Sequence, residues 1–392
     1  MPPEITAIEC AEFTYPLEGV TTGPDGVNLA YAPGETYRRR TLATRIHTSD
    51  GNTGEYVGGA PTSLGQIKQV APTLIGENPL ERERHWRTMR RVLRQYDGCG
   101  IGPLDIALWD LAGKRYDAPI HELLGTYRRR LPSYASTYFA IEGTGFDSPA
   151  AYADFADLCL DRGFPAFKTH TWCGLPSTNI DREIAVIEAV RERVGDTMEL
   201  MHDPVCEYDT FSTALQVGRA CDDNDYLWYE DPYADGGRSQ HGASLLRDRL
   251  DTPLLQTELV RGLEPHIDFI AASGTDLCRA DVEWDGGITG AMKIARAAEG
   301  LGVDVEFHLA NPATRHCMAA TRNTNYYELG LIHPESKRPH TQPPVYTGGY
   351  SDAPTDIDED GTVLVPSGPG LGVGYDWSFI DENTTRRVAF ER

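Results

Sequence analysis

The segment TMELMHD (residues 197–203) ends an apolar run on a carboxylate, and later segments repeat that ending. DYLWYED (225–231) ends on Glu230 with Asp231 beside it, and PLLQTEL (253–259) carries Glu258. TDLCRAD (275–281) ends on Asp281, VDVEFH (303–308) on His308, and NTNYYELG (323–330) carries Glu328. The intervals are 27, 28, 23, 27 and 20 residues, each about one strand plus one helix. Strands alternating with helical stretches at this spacing predict a parallel sheet. About eight such units between residues 131 and 330 fit a closed (β/α) barrel better than an open doubly wound sheet. GGITG (286–290) has the wrong spacing for a dinucleotide-binding loop and is expected as a turn. In a parallel barrel the strand ends converge on one face, where such folds carry their chemistry.

Upstream, FPAFKTH (164–170) places Lys168 and His170 two apart on an expected strand, so both side chains project to one side. Two neighbouring basic groups repel unless acids or an anionic ligand answer them. Before this region, RTLATRIHTSDGNTGEY (40–56) reads as two strands around an Asp50–Gly51 turn. Helical spacing follows, broken by a loop at Gly76 to Pro79. After Tyr346 the chain becomes Gly- and Pro-rich, with one short strand, GTVLVP.

The formal net charge is −23, and lysine supplies only five of the 36 basic residues: Lys68, Lys114, Lys168, Lys293 and Lys337. A surface this negative repels nucleic acid and anionic membranes, so neither is an expected partner. The composition is halophilic-like, suited to a high-salt cytoplasm where screening tolerates self-repulsion. Neither a signal peptide nor a long apolar span is legible, and a cytoplasmic location is expected. Eight scattered cysteines without a CxxC pair are expected as free thiols.

A single strand-ending acid is ordinarily a helix cap. Five consecutive units ending in polar groups, beside a Lys–His pair, ask for more than capping. Asp203, Glu230 and Glu258 offer three carboxylates at adjacent strand ends, a donor set suited to a hard cation, Mg2+ before Ca2+ or Mn2+. That cation would answer the charge on an anionic ligand. Asp281, one strand before His308, can fix the imidazole tautomer and raise its basicity, as a general base requires. His202 points to the opposite face of its strand from Asp203 and is expected to be structural.

With these residues in place, nearly the whole chain resembles the enolase superfamily, mandelate racemase subgroup. PLDIALWDLAGKRYDAPIHELLG (103–125) resembles the stretch joining capping domain to barrel, and DGTVLVPSGPGLGVGYDW (360–377) the C-terminal return to that domain. The resemblance implies an N-terminal α+β capping domain (1–130), a modified TIM-like barrel (131–345) and a C-terminal segment completing the cap (346–392). It implies Mg2+ on Asp203, Glu230 and Glu258, a His308–Asp281 dyad, and Glu328 hydrogen-bonding the substrate carboxylate. The subgroup usually shows Lys-x-Lys where this chain has Lys168-Thr-His170, and Val205 stands where relatives often carry a polar residue.

The chemistry so implied is removal of the proton α to a carboxylate through an enediolate. Mg2+, Lys168 and, when protonated, Glu328 would stabilise that charge. Loss of a β-hydroxyl then gives a 2-keto-3-deoxy acid, so dehydration of an acid sugar (aldonate or aldarate) is the expected activity. Racemisation or epimerisation and lactone cycloisomerisation stay open as alternatives, as does the choice of base among Lys168, His170 and His308. A metal-dependent hydrolase would need an HxH pair on the first strand, which LPSYASTYFA (131–140) lacks. A catalytically dead relative would show eroded ligands, whereas every position here is filled. The expected partner is a small carboxylate substrate, with relatives suggesting a homo-oligomer. Loops at Leu17 to Tyr37 and Thr48 to Ala60 are expected to close over the barrel; the arginines of YAPGETYRRR could meet a second carboxylate or lie at the surface, and the surface is the expectation.

Overall fold

The structure is a computed structural model, and it describes every residue except 1, 25, 171, 173–178, 235 and 392. It opens on a long antiparallel hairpin, β1 (Ile5–Thr22) against β2 (Leu29–Thr48), with β3 (Thr53–Val57) added across the Asp50–Gly51 turn. Along β1, Phe13, Tyr15 and Leu17 are buried while Glu12, Thr14 and Pro16 are less so, the period of two expected of a strand covered on one face. Leu17 to Tyr37, expected as a loop, is mostly the distal half of this hairpin, lying in β1 up to Thr22 and in β2 from Leu29. Its polar, Thr- and Tyr-containing strands have β-formers enough to pair but too little apolar alternation to stand out in the sequence.

Four helices complete this N-terminal capping domain: α1 (Ser63–Val70), α2 (Arg82–Val92), α3 (Ile101–Tyr116) and α4 (Ile120–Leu124). Helix α3 is buried over most of its surface, Asp105 and Asp110 included. It is sandwiched between β3 and the barrel's outer layer, which its apolar run on more than one face allows.

The barrel sheet follows as β4 (Arg130–Thr137), α5 (Pro149–Asp161), β5 (Ala166–His170), α6 (Ile180–Val194), β6 (Glu199–Asp203) and α7 (Phe211–Asp223). It continues with β7 (Trp228–Glu230), α8 (Gln240–Arg247), β8 (Leu254–Gln256), α9 (Leu263–Ala271) and β9 (Leu277–Ala280). It ends with α10 (Gly287–Gly300), β10 (Asp304–Phe307), α11 (Pro312–Ala319) and β11 (Tyr327–Ile332). These strands form a curled parallel sheet in the order β10-β9-β8-β7-β6-β5-β4-β11. The ladder is interrupted between β10 and β11. There the buried Glu306 carboxylate accepts hydrogen bonds from the Asn325 and Tyr326 amides at 3.1 Å each, bridging the seam.

Inside the sheet, side chains stack in layers two residues apart. One layer is apolar or aromatic: Tyr134, Ala166, Met201, Trp228 and Leu255, with Leu277 and Tyr326 against them. Two residues further along five of those strands stand Lys168, Asp203, Glu230, Arg279 and Glu328, all buried. The charged layer thus has an apolar floor, and it lies toward the C-terminal ends of the strands.

The tail supplies β12 (Tyr346–Thr347), β13 (Thr362–Leu364), β14 (Gly374–Tyr375), α12 (Trp377–Glu382) and β15 (Thr384–Glu391). Strand β13 pairs antiparallel with β4, and β15 with β1, so the tail touches both sheets. GGITG, expected as a turn, is instead the start of α10, with Gly286 preceding the helix and 287–290 forming its first residues; Gly287 (φ 83°) sits where an added Cβ would lie 2.3 Å from the Asp105 carboxylate. Asp105 accepts from the Thr289 amide (2.9 Å) and hydroxyl (2.7 Å), pinning α3 to the start of α10. Seven of the cysteines are free, and Cys173 lies outside the described residues. Among the described residues no helix is long and apolar enough to cross a membrane.

Candidate active site

Lys168, 1% exposed, reaches from β5 to three carboxylates on three other strands. Its Nζ lies 2.8 Å from Asp203 Oδ2, 2.9 Å from Glu230 Oε2 and 3.2 Å from Glu328 Oε1. Burial alone would push the ammonium down, but Asp203, Glu230 and Glu328 outweigh it and hold Lys168 well above its ordinary value. With these three carboxylates beside it, Lys168 stands as a cation.

Arg279 is the residue that sequence reasoning missed. Fully buried on β9, it donates from Nε to Glu230 Oε1 at 2.7 Å and from Nη2 to the Tyr134 hydroxyl at 3.2 Å, with Glu328 at 3.9 Å. The signal was present: Arg279 stands two residues before Asp281, the same offset that ties Lys168 to His170.

Between these two cations Glu328 stays ionised. Burial raises it, yet Lys168, Arg279 and His308 pull it down well below the usual carboxylate range. The protonated form that would donate to a substrate is therefore disfavoured here, because neighbours from β5 and β9 favour the anion. Its Oε2 instead accepts from the Leu309 amide at 3.1 Å.

The two histidines enter from opposite parts of the strand-end rim. His170 Nδ1 is 2.7 Å from the Thr137 carbonyl, which can only accept, so Nδ1 carries the proton. Its Nε2 faces Asp203 Oδ2 at 3.2 Å, and its ring lies 4.8 Å from that of Phe139. His308 Nδ1 is 2.7 Å from Asp281 Oδ2, leaving Nε2 toward Glu258 Oε1 at 3.6 Å. Asp281 is itself held by the Glu283 (2.6 Å) and Trp284 (2.9 Å) amides. Burial would lower His308, but Glu258 and then Asp281 overcome it and raise the imidazole to about 9. His202 lies elsewhere, its ring nitrogens meeting Thr169 (2.9 Å) and Tyr208 (3.3 Å), and burial lowers it to about 3.

Ligand oxygens of Asp203, Glu230 and Glu258 lie within 4.8 Å of one another. With Glu328 they make four carboxylates around two permanent cations, Lys168 and Arg279. When all four are ionised, two negative charges stay uncompensated in a buried space, the deficit a divalent cation fills. The donors are all oxygen, as a hard cation prefers. Every candidate residue named from the sequence thus converges on one cleft.

Two family models match the chain: "Enolase C-terminal domain-like" over residues 151–379 and "Mandelate racemase / muconate lactonizing enzyme, N-terminal domain" over 27–125. The chain is 26% identical to a D-galactarolactone cycloisomerase of Agrobacterium fabrum, covering 86% of this chain and 89% of that one. It is 28% identical to an L-talarate/galactarate dehydratase of Salmonella typhimurium, over 64% of this chain and 62% of the relative. Among solved structures, a D-glucarate dehydratase of Agrobacterium tumefaciens complexed with magnesium superposes with a TM-score of 0.84 at 30% identity, covering 98% of this chain and 99% of that one.

Thermal unfolding monitored against Mg2+ checks the charge deficit. Magnesium at a hundredfold excess over its dissociation constant adds about 2.7 kcal/mol of stability. Glu258→Gln, which leaves the Lys168 contacts intact, weakens that response; an equal response in both proteins would place the cation elsewhere.

Proposed function

The chain belongs to the mandelate racemase/muconate lactonizing enzyme family of the enolase superfamily, and on that premise we propose that it dehydrates an acid sugar to a 2-keto-3-deoxy acid. The observation that carries the reading is the His308–Asp281 dyad opening onto the acid triad: Nδ1 is 2.7 Å from Asp281 while Nε2 is 3.6 Å from Glu258. A base and a cation cradle then share one substrate carboxylate between them.

In this reading Asp203, Glu230 and Glu258 hold Mg2+, whose chemistry when bound is to draw electron density from the substrate carboxylate. His308 Nε2 takes the proton from the α-carbon, and the Asp281 carboxylate stabilises the imidazolium that results. The Lys168 ammonium faces the developing enediolate from β5, a charge already in position that needs no reorganisation. His170, across the strand-end rim, can hand a proton from Nε2 to the departing β-hydroxyl while Nδ1 stays bonded to Thr137. Water leaves, and the enol tautomerises to the ketone. Glu328, as an anion, positions Lys168 and Arg279 rather than donating to substrate.

A library of aldonates and aldarates, incubated with the protein in high KCl and Mg2+, gives a 2-keto-3-deoxy product from at least one member. EDTA abolishes it, and His308→Asn lowers the rate by about 10²- to 10⁴-fold. The similarity to a lactone cycloisomerase over most of both chains supports a second reading. A sugar-acid lactone converted to an isomeric product without loss of water, with the open-chain acids left untouched, would decide for it.

The pH profile tests the base. His308 must be neutral to accept a proton, so kcat/KM rises as pH passes upward through its pKa. Asp281 contributes to raising that pKa. Asp281→Asn therefore moves the rise to lower pH while lowering its plateau. A rise that stays in place in this variant would assign the base to another group.

A further inference from the structure

By strand alternation Glu258 belongs on the wrong face of the sheet. Along β8, Leu254 joins the main core outside the sheet, and Leu255 the apolar layer inside the barrel. Regular alternation would then turn Gln256 outward, Thr257 inward and Glu258 outward, toward the helices. On β6 and β7 the count is different, since Asp203 and Glu230 each stand two residues after an inner-layer side chain, Met201 and Trp228. Glu258 stands three after Leu255, yet its carboxylate lies within 4.8 Å of both those acids.

The alternation breaks at Thr257. This buried residue has φ 89°, a region that β-branched side chains rarely enter, and such outliers gather where a local cost serves a functional geometry. Strand β8 pairs with β9 as Leu255 with Leu277 and Gln256 with Cys278, so the next rung falls to Thr257 and Arg279. That rung is made by a side chain. Thr257 Oγ1 donates to the Arg279 carbonyl at 2.9 Å and accepts from the Arg279 amide at 3.1 Å. The main chain is thereby free to leave the sheet. The Thr257 carbonyl accepts from the Val260 amide at 3.2 Å, closing a turn. Within that turn the Glu258 amide donates to Asp231 Oδ2 at 3.1 Å, and the Glu258 carbonyl accepts from Arg261.

An apolar side chain at this position could not do the same. Without the hydroxyl, the buried amide and carbonyl of Arg279 lose these partners, and the main chain of residue 257 can meet them only by staying extended. An extended residue 257 restores the alternation and swings Glu258 to the outer face. The same hydroxyl fixes the backbone of Arg279, whose Nε holds Glu230 Oε1 at 2.7 Å.

Taking the magnesium reading of the acid triad as given, we propose that Thr257 is a positioning residue for the cation site. Its hydroxyl replaces a backbone rung to Arg279, and the chain so released turns left-handed and aims Glu258 at Asp203 and Glu230.

Calorimetric titration of Mg2+ into the metal-stripped protein tests this. Thr257→Ser keeps the hydroxyl and binds Mg2+ as wild type does. Thr257→Val has nearly the same shape without it and binds about 10- to 100-fold more weakly, the range for loss of a group that orients a metal ligand. Where Thr257→Val fails to fold, Thr257→Ala removes the hydroxyl without β-branching and shows the same loss. On a Glu258→Gln background the loss disappears, because the hydroxyl acts through Glu258. Wild-type affinity in the hydroxyl-free variant, with only the thermal midpoint lowered, would mean that Thr257 serves stability alone. An equal loss on the Glu258→Gln background, or in Thr257→Ser, would likewise overturn the proposal. A wild type that binds no Mg2+ overturns it together with the metal reading. If no acid sugar is turned over but this pattern of Mg2+ affinities holds, the dehydratase reading fails and the assignment of Thr257 stands.

Discussion

The Lys168 ammonium, shared among Asp203, Glu230 and Glu328 inside the barrel, is the contact on which the rest of the site depends. Carboxylates brought together in a low-dielectric interior repel one another, and each loses its hydration. Lys168 answers three of them, and Arg279 answers Glu230 a second time from the other side. Removing one partner from such a buried set costs about 3–5 kcal/mol because the others are left uncompensated. The layer therefore exists only as a whole. Its apolar floor of Tyr134, Ala166, Met201, Trp228 and Leu255 keeps water from reaching it from below.

That arrangement also separates roles among groups that look interchangeable in the sequence. Its carboxylate neighbours hold Lys168 well above its ordinary value, and Lys168, Arg279 and His308 hold Glu328 below the usual carboxylate range. The histidines differ from both, since each has one nitrogen fixed by an acceptor and the other turned toward the cleft. The cap contributes the remaining wall. Tyr56 reaches Glu283, Tyr15 reaches the backbone of His340, and Trp86 donates to the Gly286 carbonyl at 2.9 Å. Each of these joins the N-terminal sheet or its helices to a loop that follows a barrel strand, so docking of the cap and shape of the cleft are one problem.

Much of this was legible before any coordinates. A parallel barrel repeats its strand ends, and residues of like position in that repeat must converge; Asp203, Glu230, Glu258, Asp281, His308 and Glu328 stand at such positions, and their side chains lie close together. The i, i+2 offset that places Lys168 with His170 also applies to Arg279, two before Asp281, whose position inside the run rather than at its end makes it less conspicuous. The long N-terminal hairpin was harder to see because its exposed half carries threonines and arginines on both faces. The ionisation of Glu328 was likewise out of reach, since it is set by Lys168 and Arg279 from other strands.

Proton NMR of an acid sugar incubated with the Mg2+-loaded protein in D2O addresses the enediolate directly. The account predicts that the substrate Cα proton is lost or exchanged for deuterium at a rate that collapses in His308→Asn. Retention of that proton in every aldonate and aldarate offered, under conditions where Mg2+ is bound, would contradict it.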